Sequence, residues 1–205
     1  MKFDTSIDAY IARIKERLSE LSPESALYAA LELRCAVEGK MKEYLEPLAH
    51  IPKSQKKEWS VLKLGKSIDN AFTIKDKIAS FTICFENPIV EIELQYRPVS
   101  SRLQEIAKRV GDYLHFPNEK EVGREDWIKE LQDLVQEGVL WLEFAEGGDL
   151  YGMPLINTKT KQTDVRVKLS GDDPHHELLK RMKTGEVHQL KVDYLPLPKM
   201  GRGIE

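Results

Sequence analysis

The chain has 205 residues, 41% of them hydrophobic and 32% charged, and its formal net charge is -3 at pH 7. That size and balance are typical of a folded protein with one domain or two small ones, and they exclude a disordered or collagen-like chain. No apolar run approaches the roughly 18–20 residues that a membrane span requires, and the N-terminus lacks the apolar segment of a secretory signal. We therefore expect a cytoplasmic protein that does not interact with membranes.

Two helices are predicted at the start of the chain. Apolar residues within positions 7–21 recur every three or four residues, as they do on one face of a helix. Ser22 as an N-cap and Pro23 in the first turn end that helix and open a second one. The second helix is predicted to run to about Leu45 or Leu48.

A lysine-rich loop comes next, followed by a region of mixed character. Residues 58–76 are predicted to be helical. Two short stretches, Ile78 to Phe85 and Val90 to Tyr96, then combine β-branched and aromatic residues, and the second alternates strictly between apolar and polar residues. These stretches predict a half-buried pair of strands.

Two further helices are predicted after the strand pair. From Val99 to Leu114 the apolar spacing is again three to four, and Phe116-Pro117 must end this helix because proline disfavours helical geometry in the residue before it. Another helix is predicted from Trp127 to Gln136, with Gly138 after its end.

The pattern changes beyond Gly138. Residues 139–144, 150–156 and 164–169 read as strands separated by polar turns, which predicts an antiparallel meander. A short helix with an Asp cap follows, and Val187 to Tyr194 supply a last strand. The predicted fold class is therefore α+β. Residues 1–120 form a helical bundle with a short β pair, and residues 121–205 form a domain with an antiparallel sheet and one short helix.

Charge is distributed unevenly along the chain. Residues 40–77 hold nine lysines against five acidic residues, whereas residues 117–149 hold ten acidic residues against three basic ones. The net charge argues against nonspecific nucleic-acid binding by the chain as a whole. The lysine-rich segment is either a local basic surface or one of two solvated faces that keep the protein in solution.

Arg34 and Glu38 stand out in the second helix. On a helical wheel of about 100° per residue, both fall inside the broad apolar arc of this helix. They are four residues apart, so we expect an ion pair among apolar neighbours, where each charge depends on its partner. Two interpretations are open: a lock that holds the packing of the helix, or part of a binding site.

Arg109 and His115 form a second candidate, in the segment Arg109-Val110-Gly111-Asp112-Tyr113-Leu114-His115. Together with the second helix, this segment resembles the HEPN superfamily of helical bundles, over roughly residues 20–120. In that family an Arg and a His four to six residues apart form the signature, and many members are metal-independent ribonucleases of prokaryotic defence or toxin-antitoxin systems.

The resemblance implies a role for each residue. His115 would act as the general acid and base on the ribose 2′-hydroxyl and the leaving oxygen, and Arg109 would stabilise the phosphate, roles that suit an imidazole and a guanidinium. Arg34 and Glu38 would line the same site. Positions 109 and 115 lie about 120° apart on an ideal helix, so the two side chains converge only if the helix ends early or if two subunits complete the site. The resemblance implies the second arrangement, a composite site across a homodimer.

Two classes of function therefore remain open. The protein is either an RNA-binding protein of the HEPN type, with ribonuclease activity, or a non-catalytic module that binds a protein partner through an edge strand or a groove. In the second case Arg109 and His115 are ordinary polar residues beside a core stripe.

Cofactors and metals are not expected. No glycine-rich phosphate loop precedes a helix, and His175-His176-Glu177 lacks the spaced ligands of a tetrahedral site. The three tryptophans, Trp59, Trp127 and Trp141, occur one per element, so we expect core or interface anchors rather than a platform for stacked bases.

Overall fold

The structure is a computed structural model, and it describes residues 4–46, 48, 51–86, 88–115, 126–153, 155–156, 163–164, 166–168, 175–184 and 187–200. The helices are α1 Ile7–Ser19, α2 Pro23–Leu45, α3 Lys53–Lys56, α4 Val61–Phe72, α5 Ser101–Leu114, α6 Trp127–Glu146 and α7 His175–Lys183. The strands are β1 Lys77–Phe85, β2 Val90–Tyr96, β3 Leu155–Ile156, β4 Thr163–Asp164 and β5 Val187–Pro196. The predicted α+β class is confirmed. None of the helices within these ranges has the length and apolar character to cross a bilayer.

One compact unit is helical and comprises residues 1–75, 99–146 and 198–205. Its central element is α2, which packs against α1, α4, α5 and α6. Four of the eleven buried residues of α2 are alanines, and Ala29, Ala30 and Ala36 are fully buried. Small side chains let neighbouring helices approach closely, so this one long helix can pack against four other helices.

The other compact unit comprises residues 76–98 and 147–197 and contains the strands. Three strands form an antiparallel sheet in the order β2-β1-β5, and β3 and β4 form a separate two-stranded ladder. Leu150 and Val167 form an isolated antiparallel bridge. The predicted strand pair and the predicted last strand are both confirmed, and β5 lies beside β1 although about 100 residues separate them in sequence.

The cap signals at the start of α2 act as predicted. The Ser22 hydroxyl accepts a hydrogen bond from the backbone N–H of Ser25 at 3.1 Å, Pro23 is the first residue of the helix, and the helix ends at Leu45. The helix predicted after Pro98 is also confirmed as α5. Its predicted terminator, Phe116-Pro117, lies outside the described residues. The lysine-rich loop contains one short helix, α3, that the sequence did not indicate.

The strand predicted at residues 139–144 is wrong. Those residues belong to α6, which continues through Gly138 to Glu146. A Cβ atom at Gly138 would lie 2.5 Å from a methyl carbon of Leu33 and 3.0 Å from one of Ile106, so the glycine permits close contact with α2 and α5 instead of ending the helix. Of the other two predicted strands of the meander, the described residues include β3, β4 and the bridge between Leu150 and Val167, and some of the remaining residues of both strands lie outside the described ranges.

Candidate nucleic-acid interface

The ion pair predicted in α2 is confirmed. Arg34 Nε lies 3.2 Å from Glu38 Oε1, and the two side chains are 18% and 16% exposed. Residues four apart lie on adjacent turns of a helix, which brings the two side chains together without any help from another element. The pair is therefore half-buried and locally determined.

The Arg34 guanidinium also contacts two other elements. A Cβ atom at Gly111 of α5 would lie only 2.2 Å from Arg34 Nη1. The absence of a side chain at Gly111 therefore leaves the space that the guanidinium occupies against α5. On another side, Arg34 Cζ lies 6.0 Å from the centre of the Trp59 ring, at the outer limit of a cation–π contact. One guanidinium thus links α2, α5 and the segment that precedes α4.

Trp59 lies at the surface, with 65% of its area exposed. Of the two predicted roles for Trp59, a core or an interface anchor, its exposure excludes the core and leaves the interface a prediction, whereas Trp141 is buried. The backbone around Trp59 is held by Glu58, whose Oε1 accepts hydrogen bonds from the N–H groups of Trp59 at 3.0 Å and Ser60 at 3.1 Å. Because these bonds favour the ionised form, they lower the pKa of Glu58, and the neighbouring Lys63 ammonium at 3.1 Å lowers it further.

Several lysines lie close to the exposed tryptophan in sequence. Residues 53–66 contain five lysines and a single acidic residue, Glu58. Four of these lysines are exposed: Lys53, Lys57, Lys63 and Lys66. Proteins that bind single-stranded nucleic acid combine basic side chains for the phosphates with aromatic rings on which bases stack. The segment that contains Trp59 has both components, and we call Trp59, Arg34 and these four lysines the basic face.

Arg109 and His115 are both exposed, at the C-terminal end of α5. Within the described part of the chain, neither side chain forms a hydrogen bond or an ion pair. Val110 and Gly111, which follow Arg109 in α5, are buried. Gly111 nonetheless connects this motif to the basic face, because it is the residue against which Arg34 packs.

The structure does not bring Arg109 and His115 together within one chain. α5 ends at Leu114, and His115 is its C-cap, with φ -78° and ψ 163°. The φ of a residue sets the direction of its own Cβ, whereas its ψ redirects only the chain after it, so His115 keeps the side-chain direction of a helical residue. Six residues at about 100° each leave the two side chains roughly 120° apart.

Sequence reasoning identified four residues of this region and missed two. Trp59 and Gly111 were not predicted to belong to a site. The sequence feature that indicated Trp59 was its position among lysines. The feature that indicated Gly111 was a glycine between Arg109 and His115. Among the described residues, no group of His, Cys, Asp or Glu side chains is arranged to hold a metal ion.

No protein-family model, curated protein or solved structure matches this chain. The resemblance to the HEPN superfamily stays a prediction, based on the Arg109-to-His115 segment and α2.

Proposed function

We propose that the protein binds single-stranded RNA on the basic face. The observation that carries the proposal is the exposed Trp59 ring, 65% accessible and beside the Arg34 guanidinium, within a segment of five lysines and one glutamate. A large apolar ring in contact with water has an unfavourable hydration free energy, which a stacked base would relieve.

Each group on this face has a distinct task. Trp59 stacks on a base, and the exposed lysines contact the phosphates on either side of it. Arg34 is already paired with Glu38, so its role is to position the Trp59 ring rather than to neutralise a phosphate. Binding of this kind does not depend on base identity, because every base has a π-face.

We further propose that the bound RNA is cleaved without a metal by Arg109 and His115, in a cytoplasmic defence or toxin-antitoxin system. The neutral imidazole of His115 takes the proton of the 2′-hydroxyl, whose oxygen attacks the adjacent phosphorus. The bond to the 5′-oxygen breaks, and that oxygen takes a proton from an imidazolium, which leaves a 2′,3′-cyclic phosphate and a 5′-hydroxyl. Arg109 stabilises the negative charge on the phosphate oxygens.

This site would be composite. Since Arg109 and His115 diverge by about 120° on one α5, the pair that acts on one phosphate comes from two copies of the chain. The proposed homodimer would therefore be required for cleavage but not for binding.

The binding proposal is tested by fluorescence anisotropy with a labelled, mixed-sequence, single-stranded RNA. Trp59→Ala should weaken binding about tenfold, as expected from the loss of one stacked base. Lys57→Ala and Lys66→Ala should each weaken binding and lower the dependence of affinity on salt by about one phosphate contact. The matched control is Lys129→Ala, which removes an exposed lysine of α6. Wild-type affinity in Trp59→Ala, or no binding by the wild type at low salt, would overturn the proposal.

The cleavage proposal is tested with the same RNA in EDTA. His115→Ala should lower the rate by about 100-fold or more, as expected for a lost general acid and base, with unchanged thermal unfolding. A mixture of equal amounts of Arg109→Ala and His115→Ala chains should regain about a quarter of the wild-type rate, because half of the dimers contain one intact composite site. No cleavage by the wild type would remove the catalytic part and leave the binding part standing.

The second candidate function is a non-catalytic module that binds a protein. The observation that favours it is the exposed edge strand β5, on which Leu190, Tyr194 and Leu195 are between 40% and 54% exposed. Absence of both RNA binding and cleavage would favour this candidate.

A further inference from the structure

β5 is an edge strand with an open side. It pairs with β1 along one side, and no described strand pairs with its other side. All ten of its residues are exposed or half-buried. The outer edge of such a strand carries N–H and C=O groups that are available for pairing with another strand.

One face of β5 carries an apolar row. Leu190, Val192 and Tyr194 alternate with polar residues and are 52%, 38% and 54% exposed. Their partners in the register on β1 are Ile83, Phe81 and Ala79, which are all buried. The apolar side chains on this face of the sheet are therefore buried on β1 and largely exposed on β5.

The opposite face of β5 carries two opposite charges. Lys191 and Asp193 are two residues apart, and their side chains form an ion pair of 2.7 Å within the strand. Val192 lies between them in sequence, so a copy of the strand that runs in the opposite direction about Val192 has its aspartate opposite Lys191 and its lysine opposite Asp193.

We propose that β5 pairs in an antiparallel manner with β5 of a second copy of this chain, about a twofold axis through Val192. In that register Lys191 lies opposite Asp193 of the partner subunit, and Asp193 lies opposite the partner subunit's Lys191. Leu190 lies opposite Tyr194 of the partner subunit, which continues the apolar row across the joined sheet. Opposite-charge and aromatic–aliphatic cross-strand pairs both stabilise antiparallel strands.

Neighbouring registers are disfavoured by the same residues. An axis through Lys191 places two lysines opposite each other, and an axis through Asp193 places two aspartates opposite each other. Residues directly opposite each other share a face of the sheet. A register that pairs position 191 with position 192 would therefore place the apolar row of one copy on the same face as the charged residues of the other. Charges of one sign on an edge strand oppose pairing with a second copy, whereas Lys191 and Asp193 in the proposed register face opposite charges.

The contact is small. Stable interfaces bury roughly 1,200–2,000 Å² in total, and one strand pair with its side chains lies at the low end of that range. We therefore expect a dimer that dissociates on dilution within the micromolar range. This inference does not rest on RNA binding.

The test is the mass of the full chain in sedimentation equilibrium over the micromolar range. The wild type should dimerise, and Lys191→Asp or Asp193→Lys alone should shift the chain to monomer, because like charges then face each other. The combined swap Lys191→Asp with Asp193→Lys should restore the dimer. Lys129→Asp, with the same change of charge on α6, should leave the dimer unchanged. A monomeric wild type, or single variants that dimerise as the wild type does, would overturn the proposal.

A cysteine experiment tests the register. In a background with Cys35→Ser and Cys84→Ser, Val192→Cys should form a disulfide-linked dimer under mild oxidation, because position 192 faces itself across the axis. Tyr194→Cys should not, because it faces position 190. Equal cross-linking of both variants would contradict the register, and circular dichroism would verify that each variant keeps its fold.

Discussion

Lys40 of α2 and Glu146, the last residue of α6, form an ion pair in which Nζ lies 2.7 Å from Oε2, although 106 residues separate them. The Lys40 side chain is fully buried, and a carboxylate oxygen of Glu43 lies 3.2 Å from the same ammonium. A buried ammonium is tolerated only when carboxylates compensate its lost hydration. The pair therefore holds the end of α6 against the C-terminal part of α2.

The first prediction is that Glu146→Ala lowers the free energy of unfolding by about 2–4 kcal/mol. The reason is that the variant removes the nearer of the two carboxylates that lie beside the buried Lys40 ammonium among the described residues. Glu143→Ala, the matched control on α6, removes an exposed pair with Lys15 and should cost less than about 1 kcal/mol. Urea denaturation measures both. Equal, small losses in the two variants would show that Lys40 needs no second carboxylate.

The second prediction concerns two helical glycines that should respond with opposite sign. Gly138→Ala should lower stability by about 1–2 kcal/mol, because its methyl group would overlap the fully buried side chains of Leu33 and Ile106 and force them to shift. Gly39→Ala should raise stability by up to about 1 kcal/mol, since its methyl group would meet only Ile7 at an ordinary 3.5 Å while helix propensity improves. Thermal unfolding compares them, and a stabilised Gly138→Ala would contradict the close packing of α6.

The third prediction concerns the half-buried pair in α2. Glu38→Ala should lower stability by about 1–2 kcal/mol, between the values for exposed and buried pairs, because it leaves the Arg34 guanidinium without its carboxylate. Glu16→Ala, at an exposed position of α1, should change stability by less than about 0.5 kcal/mol. Guanidinium denaturation would be unsuitable because its salt screens the pair, so urea is the denaturant of choice. Indistinguishable midpoints would mean that Arg34 is held by Gly111 and Trp59 alone.

The fourth prediction is a pH dependence that originates at Glu58. Its pKa is lowered in the folded protein by the N–H donors of Ser60 and Trp59 and by Lys63. A lowered pKa stabilises the fold above the pKa of the unfolded chain, about 4.3, and that stabilisation is lost as the pH falls through the lower, folded value. The stability difference between wild type and Glu58→Gln should therefore be present at pH 6 and should shrink below about pH 4. A difference that stays constant with pH would contradict the ionised role of Glu58.

Local patterns were sufficient wherever the determining contacts lie within a few residues. The Ser22 cap, the start of α2 at Pro23 and the ion pair between Arg34 and Glu38 follow from spacings of four residues or fewer. The strand pair β1–β2 also followed from alternation and a short turn. Which elements exist was thus largely predictable.

The candidate interface was only partly predictable, for a reason of distance in sequence. Arg34 contacts Trp59, which is 25 residues later in the chain, and Gly111, which is 77 residues later. No local pattern in the sequence indicates either contact. The exposure of Trp59 stayed open between a core and an interface position, because large aromatic residues occur in both. Whether a ring is covered depends on what packs over it.

The composition of the apolar run Val139–Phe144 does not determine its secondary structure. Its residues are compatible with a strand or a buried helix, and a glycine before it resembles a helix end. Contacts with Leu33 and Ile106, made by residues distant in sequence, select the helix, just as pairing with β1 gives β5 its partner. Hydrogen bonds and caps within one turn are encoded where they form, whereas the burial of a face, the partner of a strand and the exposure of Trp59 arise when separate segments of the chain pack together.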